Sequence, residues 1–269
     1  MKSTRVSYFG YDGCLALEND SGTRVVLCPQ AGGRVLEYAL NGANAIYLDP
    51  AQRVWRFVPG APTVDPCGGR MDVGPEFVLP PHLDLWLGDW HGEITGEGRA
   101  RLTSARDQVT GLRLVREFTL SPNSSRLTCE QRITNLSEAP LHCCHWSRTL
   151  AVGGGIVLIP LSPVSRFPNR YVMYGPGSVI NFRPEDIKIR VREGFLEILG
   201  APARPKLGMD SAAGWLGYLT RNNLLFVKRF PVYPDRAYSE VAGLTLSILY
   251  YQNTMCELEP IGPCEVLEP

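Results

Sequence analysis

Apolar and polar residues alternate along much of the chain, and this period of two is typical of strands that bury one face. The clearest runs are Leu112 to Leu120, Leu127 to Ile133 and Leu244 to Tyr250. Turn-forming residues such as Ser121-Pro122-Asn123 separate these runs and predict hairpins. Gly or Pro interrupts every stretch that has helical spacing. The pattern predicts an all-β protein of roughly fifteen strands, arranged as a large antiparallel two-sheet β-sandwich.

The length of the chain is consistent with one domain. All-β sandwiches often reach this size as a single unit, so the 269 residues predict a single domain spanning residues 1–269. The densest loop runs from Arg53 to Leu83 and is rich in Gly and Pro. A loop this long in a compact domain is usually a binding element, so we expect it to contribute to a ligand site.

The charge balance limits the classes of partner. The 27 basic and 27 acidic side chains cancel, and no long run of like charge occurs. This argues against nucleic acid and against a membrane surface, and it favours a neutral or mildly charged small molecule. The N-terminus lacks an apolar signal stretch and no segment is apolar for long enough to cross a bilayer, so we expect a cytoplasmic protein. The oligomeric state stays open.

The cysteines predict reduced thiols. Eight cysteines in 269 residues fall well below the density of a disulfide scaffold. Cys143 and Cys144 are adjacent, so they would point to opposite faces of a strand, and we expect both to be unpaired. The sequence has no CxxC spacing and therefore signals neither a metal site nor a redox motif.

Two histidine clusters could carry chemistry. Trp90 and His91 adjoin a flexible Gly92, a mixture suited to holding a sugar by stacking and hydrogen bonds, although a structural His beside a packed Trp is the alternative. In the second cluster, His142 and His145 point to opposite faces of a strand, so both cannot line one pocket unless a bulge intervenes. His145 shares its face with Cys143, whereas His142 shares its face with Trp146.

Glu257 and Glu259 form the third candidate, together with an arginine elsewhere in the chain. The two carboxylates are two residues apart and would share one strand face, where burial could produce a general base, although a solvated edge is the alternative. Arg70 follows Gly68-Gly69 in the long loop and offers a planar donor fork for hydroxyls or a carboxylate.

In chain order, these residues resemble the galactose mutarotase (aldose 1-epimerase) superfamily. That superfamily has an Arg in a loop, then His-Gly, then an Asn followed by a His and an aromatic residue, and a late Glu near a Cys. The matching positions here are Arg70, His91-Gly92, Asn135 through His145-Trp146, and Cys256 through Glu259. The similarity extends from about Gly33 to Pro260. Segments such as Lys206 to Asp210 also resemble one bacterial branch of the superfamily.

The resemblance implies the superfamily's large β-sandwich, also called a supersandwich, and a reaction that needs no metal or cofactor. In that reaction a His protonates the ring oxygen of a sugar, a Glu takes the proton of the anomeric hydroxyl, and the opened ring closes again as the other anomer. The implied acid is His145 and the implied base is Glu259, with Glu257 as the competing base. The groups implied to orient the sugar are Arg70, His91 and Asp210.

Three functions are compatible with the sequence. The first is a mutarotase that interconverts anomers of an aldose or a related sugar. The second is a binding module that holds a saccharide on the same sheet without converting it. The third is a polysaccharide lyase-like domain, for which Arg70, Lys206 and Tyr233 supply residue types that such chemistry uses. One fold can host all three, so the site has to decide among them.

Overall fold

The computed structural model describes residues 1–75, 78–177, 179–241 and 243–269. Strands make up nearly all of the regular structure and pair antiparallel, which confirms the predicted fold class. In chain order the strands are β1 Lys2–Tyr8, β2 Tyr11–Glu18, β3 Thr23–Cys28, β4 Arg34–Leu40, β5 Ala43–Asn44, β6 Gly69–Gly74, β7 His91–Gly96, β8 Arg99–Thr103, β9 Leu112–Leu120, β10 Leu127–Asn135, β11 Leu141–Val152, β12 Ile156–Pro160, β13 Val172–Tyr174, β14 Ile180–Asn181, β15 Ile189–Arg192, β16 Phe195–Ile198, β17 Lys206–Met209, β18 Trp215–Leu219, β19 Leu225–Arg229, β20 Leu246–Tyr251, β21 Met255–Pro260 and β22 Glu265–Leu267.

Helical structure within the described ranges is limited to short turns. They are α1 Gln30–Gly33, α2 Leu83–Trp86 and a 3₁₀ turn at Pro50–Gln52. No helix of the described chain is long and apolar enough to cross a membrane. The frequent Gly and Pro residues account for this shortness, because each interrupts a helix within a few residues.

Two compact units divide the chain. Unit 1 comprises Met1–Asp72, Phe77–His142 and Val266–Pro269, and unit 2 comprises Val73–Glu76 and Cys143–Glu265. The strand β6 interrupts the long loop expected from Arg53 to Leu83, because Gly69 pairs with Val35 of β4. Two residues of that loop, Glu76 and Phe77, lie outside the described residues. The single domain over residues 1–269 stays a prediction.

In unit 1, strands β1 to β4 form one sheet and β7 to β10 form another. Strand β2 contacts both β7 and β8, so its residues from Cys14 to Leu17 are buried on both faces. Strand β9 alternates as predicted, with Leu114 and Phe118 turned inward. Arg116 occupies the inward position between them and is fully buried. The core of this unit therefore contains a cation among its apolar side chains.

In unit 2, the strands from Cys143 onward form two sheets. One has the order β11-β21-β20-β17-β13-β14 and the other has the order β15-β16-β12-β18-β19. Apolar side chains from both sheets make one buried cluster, which includes Leu246, Ile248, Cys256 and Leu258. The predicted strand at Leu244 begins two residues later, at Leu246. Every second side chain of β20 and β21 enters this cluster. The remaining side chains of these two strands therefore point to the opposite face of the sheet.

Candidate functional site

A set of polar side chains lies on that opposite face of the first sheet of unit 2. We call it the carboxylate face, and its members are Trp146, Arg148, Tyr174, Lys206, Ser247, Glu257 and Glu259. Glu257 and Glu259 alternate with Cys256 and Leu258 of the apolar cluster, so they share one face as the sequence predicts. Both carboxylates are fully buried. Buried carboxylates need charged or hydrogen-bonding partners, and β11 and β17 supply them.

Glu257 is engaged by an arginine. The Nε atom of Arg148 donates to its Oε1 at 2.7 Å, and Nη2 donates to Oε2 at 3.5 Å. The side chain of Arg148 is 11% exposed, so the pair is largely removed from water. A two-point ion pair of this kind fixes the carboxylate in one orientation. Glu257 is therefore the less suitable of the two carboxylates to accept a proton from a ligand.

Glu259 has different partners. The indole Nε1 of Trp146 donates to its Oε2 at 3.0 Å, and Nζ of Lys206 lies 4.0 Å from the same oxygen. The ammonium of Lys206 lies 5.3 Å from the centroid of the Trp146 ring and 5.3 Å from that of Tyr174. Both distances are typical of cation–π contacts. The carboxylate thus lies between a neutral donor and a cation that two aromatic rings hold in place.

Ser247 lies directly opposite Glu259 in the register of β20 and β21. Its side chain is 1% exposed, and its Oγ has no hydrogen-bond partner among the described residues. A buried hydroxyl without a partner costs free energy, so it is a position where a ligand or a bound water supplies the missing hydrogen bond. The unsatisfied hydroxyl and the Glu259 carboxylate are therefore neighbours on the carboxylate face.

His145 lies on the other face of the sheet. Trp146 pairs with Ile261 and Thr149 pairs with Leu258, so β11 alternates regularly through this region. The backbone N–H of Gly262 donates to the carbonyl of His145, which continues the same register. His145 therefore shares its face with Leu258, whereas Trp146 shares its face with Glu259. The expected acid and base do not meet on one face of the sheet.

Asp210 follows β17 and is engaged by a neighbouring loop of unit 2. Its Oδ1 accepts from the hydroxyl of Ser165 and its Oδ2 accepts from the backbone N–H of Arg166, both at 2.7 Å. Both carboxylate oxygens therefore already have donors. The contacts make Asp210 an anchor of the loop before β13, which differs from the sugar-orienting role that the resemblance implies.

Trp90 belongs to unit 1 and is buried. Its Nε1 donates to the carbonyl of Leu85, and the guanidinium of Arg116 lies 4.1 Å from the ring centroid. Arg116 also donates to the carbonyls of Gly32 and Gly33. Burial lowers the pKa of Arg116 to about 10. The ring face of Trp90 that was expected to stack on a sugar is occupied by this guanidinium.

The other two expected binding residues of unit 1 differ in exposure. Arg70 is 1% exposed and donates to Asp65 at 2.6 Å, with Asp72 at 3.5 Å. Its donor fork is thus directed at carboxylates of its own unit, as in a structural ion pair. His91 is the first residue of β7, pairs with Thr103 and is exposed.

Sequence reasoning did not single out Arg148 and Ser247, and it named Lys206 as a functional residue only for the lyase-like alternative. Period-two alternation places Arg148 on the face of Trp146, so this residue could have been found from the sequence. Lys206 and Ser247 reach Glu259 only through the pairing of β17, β20 and β21. No group of three or more His, Cys, Asp or Glu residues in the described parts of the chain is placed to hold a metal ion.

The comparisons with known proteins identify the fold. The Slr1438 protein of Synechocystis sp. PCC 6803 superposes with a TM-score of 0.61 at 18% identity, over 98% of this chain and 94% of that chain. A galactose mutarotase-like protein of Lactobacillus casei ATCC 334 gives a TM-score of 0.61 at 9% identity, over 95% of both chains. A proposed aldose 1-epimerase of Escherichia coli K12 gives 0.59 at 12% identity, over 100% of this chain and 95% of that chain. No family profile and no curated protein matches the sequence.

The chain therefore has the fold of the galactose mutarotase-like superfamily. This confirms the resemblance at the level of the fold. At these identities the similarity identifies the fold alone, because one fold hosts several functions.

Proposed function

We propose that the protein binds a sugar at the carboxylate face of unit 2 and interconverts its anomers, with Glu259 as the general base. The observation that carries the proposal is the setting of Glu259, a fully buried carboxylate between the Trp146 indole and the Lys206 ammonium. A carboxylate accepts hydrogen bonds from sugar hydroxyls, and an ammonium group donates hydrogen bonds to sugar oxygens. The same face contains both.

The reaction requires one group to take a proton and another to give one. Glu259 takes the proton of the anomeric hydroxyl while the ring oxygen receives a proton, so that the bond between C1 and the ring oxygen breaks and an open aldehyde forms. Rotation about the bond between C1 and C2, followed by the reverse proton transfers, closes the ring as the other anomer. One proton donor and one proton acceptor on the same face of the sheet suffice for this exchange.

Lys206 takes the acid role in this proposal. Its ammonium lies 4.0 Å from Oε2 of Glu259, and its side chain is 18% exposed, compared with 11% for Arg148. A sugar would thus approach Glu259 past Lys206. His145 has no part in the reaction because it points to the opposite face.

The test is the rate of anomer interconversion, measured by magnetisation exchange for several aldoses at a pH where the spontaneous reaction is slow. Glu259→Gln and Lys206→Met should each lower the enzymatic rate by about 10²- to 10⁴-fold, the size typical of lost acid or base catalysis. His145→Asn is the matched control and should leave the rate unchanged. A loss of activity in His145→Asn with full activity in Lys206→Met would overturn the assignment of the acid.

A second candidate is a carbohydrate-binding protein without catalysis. The placement of His145 and Glu259 on opposite faces favours it, because the acid and base that the resemblance implies are separated. Under this proposal, titration calorimetry detects sugar binding that Glu259→Gln weakens, but no sugar that binds is interconverted faster than in buffer. Turnover of any bound sugar above the buffer rate excludes this candidate.

A further inference from the structure

Two cysteines and an arginine form a row across three strands of unit 1. The register pairs Leu15 with Leu27, which places Cys14 opposite Cys28, and Cys28 pairs with Arg34 on the next strand. Cys14 and Cys28 belong to the same buried apolar cluster, so their side chains share a face. The two cysteines are separated by fourteen positions in the chain, and only the strand pairing brings them together.

Cys14 and Cys28 stand in the register that a cross-strand disulfide requires. Directly opposed residues of antiparallel strands lie about 4.5 or about 5.5 Å apart at Cα, depending on the type of pair. Both values fall in the range of roughly 4.4 to 6.8 Å that a disulfide spans. The register of the two strands is therefore compatible with a bond between the two sulfurs.

Arg34 gives the row an uncompensated positive charge. Its side chain is fully buried, and its Nη atoms donate to neutral groups, the carbonyl of Cys67 and the hydroxyl of Tyr11. Its Nε has no hydrogen-bond partner, and no carboxylate of the described residues forms an ion pair with it. A buried cation without a counterion is costly, and a neighbouring thiolate relieves that cost.

The two thiols differ in acidity. A hydrogen bond from Cys28 lowers the pKa of Cys14, and the charge of Arg34 acts in the same direction. Burial raises the pKa of Cys28, and its hydrogen bond to Cys14 raises it further. The pair thus contains one thiol suited to form the attacking thiolate and one that keeps its proton.

We propose that Cys14 and Cys28 are a redox-active dithiol that hydrogen peroxide converts reversibly to a disulfide. The Cys14 thiolate attacks one oxygen of the peroxide, and the O–O bond breaks. Cys14 becomes a sulfenic acid, and the other oxygen departs as hydroxide, which takes up the proton that the Cys14 thiol had lost. The sulfur of Cys28 then attacks the Cys14 sulfur, and the released hydroxyl group leaves as water with the Cys28 proton. Overall, two thiols and one peroxide give one disulfide and two waters.

The burial of both sulfurs defines the oxidant. Cys14 and Cys28 are each 0% exposed, so a protein disulfide or a bulky reagent cannot reach them in the folded state. Hydrogen peroxide is small and uncharged, so it is the kind of oxidant that can enter a buried apolar cluster. The absence of a CxxC spacing does not conflict with this proposal. Here the pairing of β2 with β3 brings the two cysteines together, as a short spacing in the sequence does in a CxxC motif.

The decisive experiment treats the whole folded protein with hydrogen peroxide, blocks the remaining thiols and maps the peptides without reduction. The expected first product is a peptide that links Cys14 to Cys28 and that dithiothreitol converts back to two thiols. Oxidation of Cys129 and Cys264, the two partly exposed cysteines, while Cys14 and Cys28 stay reduced, overturns the proposal. So does irreversible oxidation of Cys14 without the link.

Two variants separate the roles of the two thiols. In Cys28→Ser, Cys14 should accumulate as a sulfenic acid because the resolving thiol is missing, and dimedone should trap it when the peroxide-treated protein is unfolded in denaturant that contains dimedone. Cys67→Ser is the matched control, since Cys67 also contacts Arg34 but lies outside the row, and it should form the link at the wild-type rate. If either variant fails to fold, the peptide map of the wild-type protein still decides.

Discussion

His145 and Glu259 lie on opposite faces of the sheet that β11 and β21 form. The register leaves no doubt about the alternation, because Trp146 pairs with Ile261 and Thr149 pairs with Leu258 without a shift. A histidine and a glutamate at positions that resemble a known acid–base pair are thus directed to opposite faces here. The indole of Trp146, one residue along, contacts the carboxylate instead.

The Arg148–Glu257 pair should contribute strongly to the stability of the fold. Glu257→Gln removes the negative charge with which the largely buried guanidinium pairs, so the free energy of unfolding should fall by about 3–5 kcal/mol. The double variant that combines Arg148→Met with Glu257→Leu should lose less unfolding free energy than Arg148→Met and Glu257→Leu lose in sum when each is made alone. Urea unfolding followed by tryptophan fluorescence measures both values.

The control is an ion pair in the same unit that is more exposed. Arg190 donates to Glu197, and its side chain is 51% exposed. Arg190→Met should cost only about 0–1 kcal/mol, because water and salt screen such pairs. Equal losses for Glu257→Gln and Arg190→Met would contradict the buried character of the first pair.

Gly33 should be intolerant of any side chain, because a Cβ there would lie 2.6 Å from the ring of Trp90. Arg116 and Leu85 hold that ring in place, so it cannot retreat. Gly33→Ala combines a positive φ with this overlap. We expect its loss of unfolding free energy to exceed that of Gly42→Ala by about 1–3 kcal/mol, the usual cost of overpacking.

Gly42 is the matched control for backbone strain. It also has a positive φ of 81°, but a Cβ there would meet no atom within 4 Å. Gly42→Ala should therefore lower the free energy of unfolding only by the cost of placing an alanine in the left-handed conformation, about 1–2 kcal/mol. Thermal unfolding of the two variants side by side gives the comparison, and similar midpoints would show that the Trp90 ring can move.

The stability of the protein should fall in alkaline solution, in part because of Cys143 and Cys144. Burial raises the pKa of Cys143 to about 11 and that of Cys144 to about 12, from an ordinary value of 9.0. Between about pH 9 and these values the unfolded chain releases protons that the folded chain retains, so the free energy of unfolding decreases as the pH rises. Each group contributes at most about 1.4 kcal/mol per pH unit.

Cys144→Ala tests this linkage. The variant removes one of the raised groups, so its unfolding free energy should fall less steeply than that of the wild type between about pH 9 and 12. Its stability at pH 7 should be lower, because a buried side chain is lost. A slope identical to that of the wild type would mean that Cys144 releases its proton equally in both states.

Alternation along single strands could be read from the sequence. It predicted the strands around Leu114 and Leu127, and it placed Glu257 and Glu259 on one face, because the side-chain period of a strand depends only on local backbone geometry. It also separated His145 from Trp146. Register between distant strands is a different matter, because it depends on which strands become neighbours.

The contrast between Trp90 and Lys206 shows the same limit. Trp90 beside His91 has the composition of a sugar site, yet Arg116, which reaches it from β9, occupies its ring. Nothing in the sequence around Lys206 indicates a contact with Glu259, yet the two lie close together because β17 pairs with β20 and β20 pairs with β21. Residue types alone do not reveal which polar groups form hydrogen bonds or ion pairs with one another.

The sequence by itself determined the fold class of this protein and the face on which each strand residue lies, since both follow from periodicity and turn chemistry. Only the tertiary structure decided which faces meet: Glu259 with Trp146 and Lys206, and Cys14 with Cys28 and Arg34. Trp146, Lys206 and Glu259 come from strands far apart in the chain, whereas Cys14, Cys28 and Arg34 come from three consecutive strands. Their proximity results from packing and strand pairing across the whole unit, which no local stretch of sequence encodes.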